Sequence, residues 1–243
     1  MSSMPNPFGT ARPGTLGYES STDSVTLVQF FNSVYAWMAS GLALTAVVAW
    51  WVSTQPQIIR AIFGSGLIWV LFIAQLGLVF GLSAAVTKIS STVATALFMV
   101  YAALNGETLS IIFLAYRMPS IAGAFVVTAG MFGAMSIYGF TTKRDLTRMG
   151  SLLFMALIGL IIASVVNLFW ANSTLYWIVT YAGVLIFVAL TAYDTQKLRY
   201  IAAQTAGDRE MSARLSIYGA LTLYLDFINL FLYMLRILGN RRN

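Results

Sequence analysis

Near the end of the chain, the stretch Leu223-Tyr224-Leu225-Asp226-Phe227-Ile228-Asn229-Leu230 places an acidic residue inside an apolar run. The run belongs to an apolar segment, about residues 211–238, which is long enough to cross ~30 Å of hydrocarbon as a helix. A carboxylate at that depth is costly unless it faces a bundle interior, a partner or water. The stretch therefore predicts a membrane helix whose polar side is enclosed by other helices.

A second acidic residue stands at a comparable place in the preceding segment, Leu190-Thr191-Ala192-Tyr193-Asp194-Thr195-Gln196. No glycine or proline separates this run from Gly207, so its helix can project beyond the membrane. At 1.5 Å per residue, Asp194 lies ~18 Å and Asp226 ~22 Å from the turn between the two helices. Antiparallel neighbours would bring both to a similar depth, on the cytoplasmic half. Because two like charges at close range cannot both ionise easily, the pair is a candidate pH sensor and gate.

The composition of the whole chain is that of a membrane protein. Of the 243 residues, 59% are hydrophobic and 9% are charged, whereas a soluble domain carries about 25% charged residues. Seven apolar segments each exceed the ~20 residues that a membrane helix needs, and they cover about residues 28–52, 61–86, 89–115, 120–140, 149–171, 174–204 and 211–238. We therefore expect an all-α membrane protein, a seven-transmembrane-helix bundle over residues 28–238.

The two ends of the chain differ from this apolar middle. Residues 1–27 are rich in proline, glycine, serine and threonine, and we expect a disordered cytoplasmic tail there. Residues 239–243 form a short basic carboxy-terminal tail.

With a cytoplasmic amino terminus, nine of the 14 Lys and Arg residues fall on the cytoplasmic side, as the positive-inside rule favours. The terminal arginines favour instead six spans and a re-entrant last helix, but the last segment is long enough to span.

Polar and small residues mark two helix faces. The last segment carries a stripe at spacings of three, four and seven residues, namely Ser212, Gly219, Thr222, Asp226, Asn229 and Tyr233. We expect this stripe to line a polar seam, with Thr222 and Asn229 along a candidate ion path. In the fourth segment, small residues at three-residue spacing predict a packing face, namely Gly130, Gly133, Ser136 and Gly139.

Two further charged residues could belong to the same site. Glu107 is a third acid at membrane depth, and it either lines the same cavity or is solvated near the outer interface. Lys88 falls on the side expected for the aspartates and is a candidate latch for them, although an interfacial lysine often extends to the membrane surface instead. The aspartates themselves have a structural alternative, in which they only join helices through hydrogen bonds.

Several function classes are excluded or disfavoured. The chain has no cysteine and no histidine, which excludes disulfides, thiolate chemistry and Cys/His metal sites. Most basic residues fall between apolar segments and form no face suited to nucleic acid. An intramembrane aspartyl protease would also use two aspartates, but Leu225-Asp226 lacks the glycines of its second motif. We therefore expect no enzyme activity and no bound cofactor.

Four stretches resemble signatures of the transmembrane Bax-inhibitor-motif family, most closely its bacterial inner-membrane members. They are Phe125-Val126-Val127-Thr128-Ala129-Gly130-Met131-Phe132-Gly133, Thr142-Lys143-Arg144-Asp145-Leu146, Ala192-Tyr193-Asp194-Thr195-Gln196 and Leu223-Tyr224-Leu225-Asp226-Phe227-Ile228-Asn229-Leu230-Phe231. The resemblance covers nearly all of the chain after residue 28. It implies a bundle whose last helix is enclosed by the other six, in the bacterial inner (cytoplasmic) membrane.

The resemblance also implies a function, a pH-sensitive calcium leak governed by two aspartates that match Asp194 and Asp226. In the family picture, the protonated pair shares a hydrogen bond and closes the pore, a basic residue latches the pair, and deprotonation opens the pore. The partners implied are the lipid bilayer, protons, and calcium as the transported ion, held weakly by the two aspartates. Some bacterial relatives suggest a different function, a non-transporting interaction protein that modulates a membrane-bound protease or a stress response. At the position of Glu107, similar bacterial sequences more often carry an apolar residue.

Overall fold

The computed structural model describes residues 15–205 and 207–241, with side chains from Thr26 onward. Within those residues the chain is helical, and the only β-type pairing is an isolated antiparallel bridge between Tyr116 and Arg241. The helices are α1 (Thr15–Ser53), α2 (Pro56–Gly64), α3 (Leu67–Ala85), α4 (Ser91–Leu109), α5 (Ile111–Ala115), α6 (Met118–Thr141), α7 (Thr147–Trp170), α8 (Ser173–Gln204) and α9 (Arg209–Leu238).

Seven stretches of helix are long and apolar enough to cross a membrane, which confirms the predicted fold class. They are Thr26–Ser53, Leu67–Ala85, Ser91–Ala115, Met118–Thr141, Thr147–Trp170, Ser173–Gln204 and Arg209–Leu238. The third crossing consists of α4 and α5, which meet at Ser110. The second begins later than predicted, because Gly66 takes a left-handed backbone conformation (φ 80°) that separates α3 from the short helix α2.

Helix α1 begins inside the range of the predicted amino-terminal tail. We expected a disordered tail over residues 1–27, but α1 begins at Thr15. No proline lies between Thr15 and Ser53, so the backbone hydrogen bonds of the helix can continue outward from its apolar part. Residues 1–14 of the predicted tail lie outside the described residues.

The carboxy-terminal segment is attached to the turn between α5 and α6. Asn240 accepts a hydrogen bond from the backbone N–H of Arg117 at 3.3 Å and donates its own N–H to Ser120 Oγ at 3.1 Å. The end of α9 therefore shares one face of the bundle with the end of the third crossing, as seven alternating crossings require. Since α9 is also continuous from Arg209 to Leu238, the geometry does not support a re-entrant last helix.

Helix α9 is the centre of the bundle, as predicted. It packs against α1, α3, α4, α6 and α8, and it contributes many of the most deeply buried side chains.

Close packing of α6 on α8 depends on Gly139, where an added Cβ would stand 2.2 Å from the carbonyl oxygen of Ala192. The predicted small-residue face of α6 is only half correct. A Cβ at Gly130 or Gly133 would meet nothing within 4 Å, because these residues lie on a different side of the helix.

Candidate functional site

The two aspartates singled out in the sequence lie side by side in the middle of the bundle. Asp194 on α8 is 8% exposed and Asp226 on α9 is 4% exposed. Their carboxyl groups lie close enough to act on each other across the two helices. A carboxyl–carboxyl hydrogen bond requires a proton on one partner, so this geometry is suited to holding one proton between α8 and α9.

A cavity of about 870 Å³ borders the pair and is formed by side chains of α3, α4, α7, α8 and α9. Along α9 its lining runs from Tyr218 to Tyr233, a length of ~22 Å at 1.5 Å per residue. The two aspartates therefore border an elongated space in the membrane-spanning part of the protein, large enough to hold water and an ion.

One oxygen of the pair lacks a hydrogen-bond partner among the described residues. Asp226 Oδ2 is buried, and no described residue forms a hydrogen bond with it. A buried acceptor without a donor costs ~1–3 kcal/mol, and more when it is charged. The site therefore favours a proton, a water molecule, a cation or a ligand donor at this oxygen.

Thr222 and Asn229 also line the cavity, one on each side of Asp226 along α9. Thr222 Oγ1 donates to the carbonyl of Tyr218 at 3.0 Å, and Asn229 Nδ2 donates to the carbonyl of Leu225 at 2.8 Å. The predicted seam is thus present at these positions, while its role as an ion path stays a prediction.

The structure separates Lys88 from the aspartates. Lys88 is exposed in the turn between α3 and α4, and the described lining of the cavity does not include it. The turn is held at the start of α9, where Arg214 Nη1 donates to the carbonyl of Thr87 at 3.0 Å and Ser91 N–H donates to Glu210 Oε1 at 2.9 Å. The prediction of Lys88 as the latch is therefore not supported, because its turn lies at the edge of the bundle.

The cation beside the pair is Lys197, which the sequence analysis did not single out. Lys197 lines the cavity, its charge acts on Asp194, and its Nζ lies 5.9 Å from the centre of the Tyr218 ring. The sequence could have indicated this position, because Lys197 lies three residues after Asp194 and residues at that spacing share one face of a helix.

Glu107 lies outside the cavity. It is half-buried near the end of α4, and its carbonyl accepts hydrogen bonds from Ser110. Of the two alternatives, the structure disfavours a place in the aspartate cavity.

The neighbouring Asn105 is buried and donates to Tyr224 Oη at 2.8 Å, while Thr45 Oγ1 lies 2.6 Å from the same hydroxyl. This polar contact joins α1, α4 and α9 and was not predicted.

The residues after Asp194 anchor the loop between α6 and α7. Gln196 accepts from the N–H of Leu146 and donates to the carbonyl of Arg144, both at 2.8 Å. Within the loop, the hydroxyl and N–H of Thr147 donate to Asp145 at 2.6 and 2.9 Å, and they hold the pKa of that carboxyl below its usual range. Two of the stretches used for the family resemblance are therefore in direct contact.

The described residues contain no cluster of three or more His, Cys, Asp or Glu residues that could hold a metal ion. Calcium takes six to eight oxygen ligands, and two carboxyl groups supply four oxygens at most. Calcium at Asp194 and Asp226 therefore stays a prediction, in which the ion is transported and weakly held.

Comparison with known proteins identifies the family of this chain. Residues 27–243 match the family described as Bax1-I, inhibitor of apoptosis-promoting Bax1. The chain is 55% identical over 218 residues to the inner membrane protein YbhL of Escherichia coli K12, covering 89% of this chain and 93% of that protein. It is 47% identical to an uncharacterized protein of Borreliella burgdorferi, covering 88% and 93% of the two chains. An uncharacterized protein of Rickettsia prowazekii is 44% identical, with 89% and 92% covered. Since the family match spans nearly the whole bundle, this chain belongs to the Bax1-I family of membrane proteins.

Proposed function

We propose that this protein is a pH-sensitive cation leak, with calcium as the preferred ion, gated by the Asp194–Asp226 pair. One observation carries the proposal, namely that two buried carboxyl groups on adjacent membrane helices interact beside a large cavity. Ionisable residues inside a membrane bundle are typical of ion and proton paths. The proposal involves no catalytic step.

The proposed gate works by sharing or losing one proton. At low pH the protonated pair holds α8 and α9 together through its hydrogen bond. At higher pH both carboxyl groups ionise, and like-charge repulsion opposes the closed arrangement. The two carboxylates then become oxygen ligands of the kind that calcium prefers. Lys197 offsets part of the repulsion from one side of the cavity.

We also propose that the protein lies in the cytoplasmic membrane with its amino terminus in the cytoplasm. The relative from Escherichia coli is named an inner membrane protein. The orientation rests on the distribution of Lys and Arg, nine of 14 of which fall on the side of the amino terminus.

Calcium flux through purified protein in liposomes tests the proposed function directly. Vesicles that contain a calcium indicator are prepared with and without protein, and calcium uptake is measured at about pH 5.5 and 8. We expect flux above that of protein-free vesicles, and more of it at the higher pH. No flux at either pH would contradict the proposal and favour the non-transporting interaction protein, including a modulator of a membrane protease.

A further inference from the structure

One wall of the aspartate cavity consists of side chains that face the bilayer. Leu76 of α3 and Phe154 and Ile161 of α7 all line the cavity, yet each is more than half exposed. In the described residues, α3 packs mainly against α4, α2 and α9, whereas α7 packs mainly against α8. The cavity is therefore open sideways, between α3 and α7, to the hydrocarbon of the membrane.

The opposite wall of the cavity is polar, and one of its carboxyl oxygens lacks a hydrogen-bond partner among the described residues. It carries Asp194, Asp226 and Asn229, and Asp226 Oδ2 is buried without a hydrogen-bond partner among the described residues. A molecule that enters from the bilayer can gain by presenting an N–H donor to this oxygen. A positive charge on that donor also complements the two carboxyl groups.

We propose that the cavity binds an apolar primary amine, which enters from the bilayer between α3 and α7. Its ammonium group donates to Asp226, and its hydrocarbon chain packs against Leu76, Phe154 and Ile161. The cavity volume of about 870 Å³ lies within the range of volumes found for small-ligand sites in other proteins. Its lining along α9 spans ~22 Å, longer than the ~15 Å of hydrocarbon in one leaflet. This inference goes beyond the proposed function, because it requires no movement of ions.

The depth of Asp226 disfavours an ordinary lipid as the occupant. Asp226 is ~25 Å along α9 from Arg209 and ~18 Å from Leu238 at 1.5 Å per residue. A phospholipid headgroup that reached it would carry its phosphate into the membrane interior, where an unpaired charge is costly. A hydrocarbon chain alone would leave Asp226 Oδ2 without a donor.

The test compares three probes of equal chain length, namely dodecylamine, dodecanol and dodecanoate. Binding to the protein in phosphatidylcholine nanodiscs is followed by calorimetry, and protein-free nanodiscs correct for partition into lipid. We expect saturable 1:1 binding of dodecylamine that is at least about tenfold tighter than binding of the other two, the effect of one hydrogen bond to a charged group. Asp226→Asn should abolish this preference.

A matched pair of variants tests the route of access. Ile161→Trp fills the opening from the bilayer side and should weaken dodecylamine binding about tenfold. Ile162→Trp is its control, since Ile162 is 58% exposed, against 55% for Ile161, and does not belong to the described lining of the cavity. We expect binding to this control variant to stay within about twofold of the wild-type value.

Three outcomes would overturn the proposal. Equal binding of dodecanol would mean that the opening accepts any hydrocarbon chain, and preferred binding of dodecanoate would assign the site to Lys197. Unchanged binding to Ile161→Trp would place the access route elsewhere. Because calorimetry measures no flux, failure of this proposal is distinguishable from failure of the proposed leak.

Discussion

At the scale of single residues, the aspartate cavity combines two carboxyl groups with one ammonium group. Lys197 lies one helical turn from Asp194 and lines the same cavity. Attraction between two opposite charges near a protein surface is worth up to ~1 kcal/mol, enough to change the population of an ionised state several-fold. The charge of Lys197 should therefore influence how readily both aspartates ionise.

Replacing this charge gives the first prediction. Lys197→Met should lower calcium flux at neutral pH several-fold, because the doubly ionised pair loses its nearest positive charge. Lys88→Met is the control, since Lys88 is exposed in a turn away from the cavity. Liposome flux at a fixed pH measures both variants. A loss of flux in Lys88→Met, with Lys197→Met unchanged, would contradict this prediction and assign the stabilising charge to Lys88.

A second prediction concerns Gln196, which is 1% exposed and holds the α6–α7 loop through two hydrogen bonds. Gln196→Leu leaves the N–H of Leu146 without its partner and should lower the free energy of unfolding by about 1–3 kcal/mol. Gln204→Leu makes the same change at an exposed position of the same helix and should have little effect. Thermal unfolding in detergent compares the two, and equal stability would argue against the anchoring role.

At the scale of helices, the bundle depends on close contact between α6 and α8 at Gly139. Gly139→Ala should push the two helices apart and destabilise the protein by about 1–3 kcal/mol, as overpacking does in other cores. Gly130→Ala on the same helix is the control, because an added Cβ there meets nothing within 4 Å. We expect Gly130→Ala to be neutral or slightly stabilising. Thermal unfolding compares the stability of the two variants. A Gly130→Ala variant that is less stable than Gly139→Ala would contradict the packing account.

The crossings themselves were predictable from the sequence, because apolar length decides whether a helix can span a membrane. The nearness of Asp194 and Asp226 followed from helical spacing and an antiparallel turn. Other features depend on the three-dimensional path of the chain. Apolar periodicity could not show the left-handed backbone of Gly66, which shortens the second crossing. Sequence also placed Lys88 only on one side of the membrane, while its distance from the cavity depends on how α3 packs.

At the scale of the whole molecule, the attached carboxy terminus and the seven crossings give a topological prediction. Residues 239–241 and the α5–α6 turn share one face, opposite the turn between α8 and α9. We expect the carboxy terminus outside and the amino terminus in the cytoplasm. A reporter fused at Asn243 that is active only outside the cytoplasm measures this. Activity of a cytoplasmic reporter at that position would contradict the predicted orientation.

The central claim is that the aspartate pair sets the pH dependence of ion flux. Calcium flux in liposomes is therefore measured from about pH 5 to 8 for wild type and for the double variant Asp194→Asn, Asp226→Asn, whose side chains keep their size but cannot ionise. We predict that wild-type flux rises with pH and that flux through the double variant is independent of pH. A double variant that kept the wild-type pH dependence would contradict the account and place the proton switch elsewhere, with Glu107 the next residue to test.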